Sequence, residues 1–513
     1  MNTKALRQKV LDLAIHGKLV PQNPNDESAT VLLEKIRAEK AEKIKKGELK
    51  ADKKDSFIFT KECEFDEDKL GKCSSGTRHK RHYEQFADGT VKDIEDEIPF
   101  EVPEGWAWCR LNELADIARG GSPRPIENYI TDSPDGINWI KIGDTAPESK
   151  YIESAKEKIK PEGQKHSRFV HEGDFLLTNS MSFGRPYILK INGCIHDGWL
   201  VFANIKECVI KDYLYYALSS DYIYASFSMV AAGSTVKNLK SDTVKQVLFP
   251  LPPIKTQEKI VESIEESFSQ IDILDNEKSE LQTVINQTKS KILDLAIHGK
   301  LVPQDPNDEP AEELLKRIAT SDNRPYEKVE DEPFEIPDSW RWVKLTSICN
   351  KLVDGDHNPP KSVEEQTEYI MASSRNINYD RLDDLENVRY LSKEVFKIEN
   401  NRTKAEKGDI FFTSVGTIGR SCIYSGDYNI CFQRSVTVLN TNINNQFLKY
   451  FFDSNFFQTY VIEHSTGTAQ MGFYLKEMAN SPIAIPPMHE QARIVDKVSE
   501  LFYQLDQIQN NLI

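Results

Sequence analysis

At 513 residues the chain is long enough for about three domains, and at 39% hydrophobic and 28% charged it has the composition of a folded globular protein. No apolar run approaches the roughly 20 residues that span a bilayer, and the first twenty residues lack a signal-type apolar stretch, so a cytoplasmic protein is expected with no membrane partner. The net charge of −16 argues against a free-standing nucleic-acid binder, whose phosphate contacts leave a basic footprint, unless partner subunits supply basic surface.

Along the chain, residues 1–36 form an N-terminal helical segment in which Thr3, Leu6, Val10 and Leu13 recur at heptad spacing. Residues 37–96 are a charged insertion or linker, read by default as a helical or disordered surface excursion. Residues 97–253 make a first mixed domain. After Pro253 the pattern turns helical, and residues 254–318 form a central helical region. Stepping by four and three from Ile260 gives Ile264, Ser267, Ile271, Leu274, Lys278, Leu281, Ile285, Thr288, Ile292 and Leu295, eight of eleven positions apolar, with Gly299 as the stop. A linker covers 319–330, a second domain 331–487, and a C-terminal helix 488–513 carries Ile494, Val498, Leu501, Leu505 and Ile508 in the same phase.

These elements repeat. KVLDLAIHGK (9–18) returns as KILDLAIHGK (291–300), PFEVPEGWAWCRL (99–111) as PFEIPDSWRWVKL (333–345), and LPPIKTQEKIV (251–261) as IPPMHEQARIV (485–495). The first pair is 282 residues apart and the other two 234, which places the extra length in the first copy, before Pro99. In this register Ile513 matches Ser279 and Met1 matches Thr283, so the two termini together rebuild a second central helix. The expected fold is α/β (α+β). Two mixed domains are separated by two long antiparallel coiled-coil helices in a pseudo-two-fold, ring-like arrangement. Between the repeated blocks the domains hardly resemble each other, except that EGDFLLTNSMSFGR (172–185) parallels KGDIFFTSVGTIGR (407–420). Trp106, Trp108, Trp340 and Trp342 are repeated and are expected in the core.

The paired blocks LDLAIHGKLVPQ, PFEIPDSWRWVKL and PPMHEQARIV resemble those of type I restriction-modification specificity subunits over nearly the full length. The resemblance implies two target recognition domains, each reading one half of a bipartite, asymmetric sequence on double-stranded DNA. It implies helices that set the spacer and dock two methyltransferase (modification) subunits, joined by motor-nuclease (restriction) subunits. S-adenosylmethionine, ATP and Mg belong to those partners on this reading, and this chain carries no cofactor, metal or catalytic residue. The alternative is a degenerate scaffold that binds partner proteins without reading DNA.

Catalytic motifs are missing: there is no Walker A sequence, GxGxxG fingerprint or GxSxG elbow. Asn358-Pro359-Pro360-Lys361 is similar to the catalytic loop of adenine methyltransferases, but Lys361 stands where that loop needs an aromatic to stack on a flipped base. Cys63, Cys73, His79 and His82 are too widely spaced for a usual zinc site. Candidate DNA contacts lie in small-residue loops carrying Arg, Asn, Ser or Lys, which suit base edges and phosphates. In the first domain they are Arg119, Ser122, Arg124, Asn179, Ser182, Arg185 and Lys237. In the second they are His357, Asn358, Lys361, Ser414, Thr417, Arg420 and Gln470. Arg185 and Arg420, shared by both copies, are as well explained by a fold-holding role. Coiled-coil or partner-binding positions are Leu6, Val10, Leu13, Ile264, Ile271, Leu274, Leu281, Ile285, Ile292, Val498, Leu501, Leu505 and Ile508.

Overall fold

The heptad spacing after Pro253 produces an unbroken helix, Ile254–Ile297, of 44 residues, about 66 Å long at 1.5 Å per residue. The computed structural model describes residues 2–50, 55–63, 79–146, 149–179, 183–231, 238–467 and 471–511. The chain forms two compact units, Met1–Asn276 and Glu277–Ile513, and the long helix contributes its first half to one and its second half to the other. Among the described residues no helix is long and apolar enough to cross a membrane.

In the first unit the N-terminal helix, Thr3–Ile15, is capped by Asn2, whose side chain accepts from the Ala5 amide. Its Val10, Leu11, Ala14 and Ile15 share a core with Ile260 and Ile264. Arg7 pairs with Asp272 and lies 5.0 Å from the Phe268 ring centre, while Asp26 reaches back to Thr256. Numbers rise on one segment as they fall on the other, so the pairing is antiparallel.

The second unit repeats this with the C-terminal helix, Met488–Asn511. Ile494 and Val498 share a core with Ile292, Leu293 and Ala296. Lys289 pairs with Asp506 and lies 5.3 Å from the Phe502 ring centre, and Gln304 donates to Glu490. Val10, Ile264, Ile271, Ile285, Ile292 and Val498 are buried, and Leu13, Leu501 and Leu505 are half-buried. Leu6, Leu274, Leu281 and Ile508, expected in the seam, are exposed instead. They lie on the turns furthest from each globular core, where a single neighbouring helix covers only a narrow stripe.

Each mixed domain opens and closes on one antiparallel strand pair: Ala107–Arg110 with Leu248–Leu251, and Arg341–Lys344 with Pro482–Ile485. That pairing explains why the two outer sequence blocks repeat together. Trp106, Trp108, Trp340 and Trp342 are all buried. A buried glutamine then starts each long helix. Gln257 donates to the carbonyls of Cys208 and Pro252 and accepts from the Ile210 amide. Gln491 donates to the Pro486 carbonyl and accepts from the Asn444 amide.

Inside, the two domains share a strand order. The first has Asp116–Arg119, Trp199–Ala203, Phe175–Thr178 and Pro186–Leu189 as neighbours, extended by Tyr151–Ile152. The second has Cys349–Asp354, Val436–Thr441, Ile410–Thr413 and Ser421–Ile423. A further sheet beside each differs, with four strands in the first domain and three in the second. The second domain backs its smaller sheet with an α-helix, Lys393–Thr403.

The insertion departs from the helical or disordered expectation. Helix Ala29–Lys45 runs into it, and Ser56–Cys63, His79–Phe86 and Val91–Asp93 form a three-stranded antiparallel sheet. Ile58 and Ile94 bury against Trp108 and Leu248. Arg110 bridges this sheet to the domain, 2.7 Å from buried Glu84 and 2.8 Å from Glu97. Cys63 and His79 are direct cross-strand partners, His82 bonds Glu95, and Cys73 lies outside the described residues.

Candidate nucleic-acid interface

Both domains present loops at the ends of the shared strands, fixed by the same main-chain hydrogen bonds. After strand Asp116–Arg119, the Gly120 amide donates to the Trp199 carbonyl (2.9 Å) and the Gly121 amide to that of Ile195 (3.2 Å). After Cys349–Asp354, the Gly355 amide donates to the Val436 carbonyl (2.9 Å) and the Asp356 amide to that of Phe432 (2.8 Å). A Cβ on Gly120 would meet the His196 carbonyl oxygen at 2.3 Å, and one on Gly355 would meet that of Gln433 at 2.2 Å. Only glycine admits so close a passage of two backbones.

In the first domain this frame gathers a charged cluster around Asp197. Ser122 donates to its carboxylate (2.9 Å), Arg124 pairs with it at 3.1 Å, and Arg119 stands 4.0 Å away while its Nε donates to the Asp197 carbonyl. Burial opposes the Asp197 charge, but the Ser122 hydroxyl and the neighbouring cations prevail and hold its carboxyl below the usual range. Burial pushes the adjacent His196 down, and its Nδ1 accepts from the Gly198 amide at 2.8 Å. Beside it opens a cavity of about 750 Å³ lined by Pro123, Ile126, Trp139, Lys141 and His196.

The second domain arranges its charges differently. Asp354 pairs with Arg402 at 2.5 Å and with His357 at 2.7 Å. Burial works against its charge, yet both partners hold it below the ordinary carboxylate range. His357, Asn358 and Lys361 are exposed along the following loop. The Asn358 amide donates to Asp356.

Two expected contacts are corrected. Asn179 is fully buried and donates to the Asp197 carbonyl (2.8 Å); Ser414 is buried and hydrogen-bonded to Thr437. These matching positions hold the loops rather than face solvent. Thr417 is half-buried and donates to the Ser374 carbonyl. The Arg185 and Arg420 amides each donate to a strand-end hydroxyl, Thr178 and Thr413, at 2.9 Å. That repeated bond fits the fold-holding role at the main chain, although the Arg185 side chain is exposed and Arg420 lies 5.7 Å from the Tyr379 ring centre. Ser182, Lys237 and Gln470 lie outside the described residues. The sequence reading missed Asp197 and Arg402, which organise these two clusters.

The family model described as type I restriction modification DNA specificity domain matches residues 103–283 and 337–513. The EcoEI specificity subunit of Escherichia coli is 25% identical, covering 99% of this chain and 90% of its own. The EcoBI specificity subunit of Escherichia coli is 27% identical, over 80% of this chain and 82% of its own. A solved chain from work on complex assembly and conformational transition of the type I R-M system aligns with a TM-score of 0.52 at 17% identity. It covers 81% of this chain and 94% of that one, a likeness that concerns the fold.

Proposed function

The chain belongs to the type I restriction-modification DNA specificity family, and from that membership we propose that it is the non-catalytic subunit that selects the DNA sequence to be modified. Each recognition domain reads one half of a bipartite target, and the helices set the spacer and dock two methyltransferase subunits, to which restriction subunits attach. S-adenosylmethionine, ATP and Mg act in those partners. Because the net charge is −16, the partners also supply much of the basic surface that tight binding to phosphates requires.

One observation carries this reading. Two domains with the same strand order and the same glycine-pinned loop frame place different side chains at the loop tips. Two unlike readers in one chain fit an asymmetric target, whereas identical readers related by symmetry would fit a palindrome.

The test is methylation mapping by long-read sequencing in cells carrying the modification partner, with and without this gene. Deletion is expected to abolish adenine methylation at one bipartite, asymmetric motif. An unchanged methylome would overturn the proposal in favour of a scaffold that binds partners without reading DNA.

A further inference from the structure

The main-chain bonds on either side place residues 197 and 434 at the same point of the shared frame. Besides the pairs at Gly120 and Gly355, the Asn179 amide donates to the Gly198 carbonyl and the Ser414 amide to that of Ser435, both at 2.9 Å. The frame therefore aligns Arg119 with Asp354 and Asp197 with Arg434. At these two facing positions the charges are exchanged between the domains.

The exchange has an unequal result. In the first domain Asp197 pairs with Arg124 at 3.1 Å, and Arg119 stands 4.0 Å from its carboxylate and donates to its carbonyl. In the second, Asp354 is already held by Arg402 and His357, and Arg434 is exposed with no side-chain hydrogen bond or ion pair among the described residues. Its backbone is nevertheless fixed: its amide donates to the Asp356 carbonyl at 2.8 Å, and the Gln433 amide donates to that of Ala372 at 3.0 Å. A planar guanidinium with all its donors unused, on a rigid loop beside exposed His357 and Asn358, is suited to the paired O6 and N7 acceptors of guanine.

Resting on the reading of this domain as a DNA-recognition domain, we propose that Arg434 is a specificity-determining residue that reads one guanine in the half-site of the second domain. A phosphate contact is the competing destination of a free arginine, and it differs in outcome: it weakens all sequences alike.

The full chain assembled with its methyltransferase partner is compared with Arg434→Ala and Arg434→Lys by methylation mapping, and by binding to duplexes in which each base pair of the half-site is replaced. The wild-type assembly is expected to discriminate at one G·C pair by roughly 5- to 150-fold, the range that 1–3 kcal/mol per bidentate contact implies. Both variants are expected to lose that preference while keeping the other half-site unchanged. The lysine variant, which keeps the charge but not the fork, is expected to retain the salt dependence of wild type. An unchanged motif in both variants would overturn the assignment and leave the recognition reading standing. So would equal weakening on every sequence, specificity fully retained by lysine, or loss of all methylation at an unaltered melting temperature. A wild-type assembly with no bipartite motif would remove both.

Discussion

In the first domain the strand-end arginine, Arg119, faces an aspartate, Asp197; in the second the same positions hold Asp354 and Arg434, and that arginine has no side-chain hydrogen bond or ion pair among the described residues. The backbone around them is held by corresponding hydrogen bonds in both domains. The surface chemistry of such a loop can be reversed without moving the chain that supports it. Side chains at the tips are free to diverge because the amides and carbonyls beneath them are satisfied by main chain.

The same comparison at the opening strands gives the largest expected effect. Arg110 and Lys344 occupy matching places, but Arg110 is buried between Glu84 and Glu97, whereas Lys344 makes an exposed pair with Glu327. Ser56 also donates to Glu84 at 2.6 Å. Arg110→Ala leaves the Glu84 carboxylate buried and unpaired, and is expected to cost the first unit about 3–5 kcal/mol. Lys344→Ala is expected to leave the stability of the second unit nearly unchanged, because water screens its pair with Glu327. Calorimetry with hydrogen exchange to assign each unit checks both, and equal losses would show that the buried Arg110 bridge contributes no more than the exposed pair.

Whether the loop frame is truly shared is tested by Gly120→Ala and Gly355→Ala. Each added Cβ lies closer than 2.5 Å to a carbonyl oxygen, and an overpacked site typically costs about 1–3 kcal/mol. Similar losses are expected, each in its own unit. A variant that melts like the wild type would mean that its loop yields easily, and the rigidity attributed to the frame would not hold in that domain.

The helices and the two-domain plan were legible because apolar spacing and repeated blocks survive in the sequence. The loop assignments were less so. A polar residue after an apolar strand looks the same whether it faces solvent or, like Asn179 and Ser414, is buried by a neighbouring loop. The inserted sheet was hidden because strand HKRHYEQF shows no apolar alternation, and its attachment depends on a few groups, chiefly Ile58, Ile94 and Arg110. The match of Asp197 with Arg434 was hidden by a slip in spacing: matching residues are 235 apart at Gly120 and Gly355 but 237 apart at Trp199 and Val436. Such slips fall in loops, which tolerate length changes.

The smallest effect expected comes from the base of each domain. The Trp106 indole donates to neutral Gln22 at 2.8 Å, whereas Trp340 donates to Glu490 at 3.0 Å. Burial raises the Glu490 carboxyl above its ordinary range, against the opposing hydrogen bonds from Trp340 and Gln304. The folded second unit therefore holds this proton more tightly than the unfolded chain does. The resulting penalty is absent below the unfolded value of about 4.5 and grows as pH rises from there through the folded value, after which it is constant. Glu490→Gln keeps an acceptor for the indole and removes the titration. It is expected to raise the melting temperature of the second unit slightly at pH 7, to change it little at pH 4, and to leave the first unit alone. The same shift at both pH values would mean that packing around Trp340, and not the buried charge, separates the two bases.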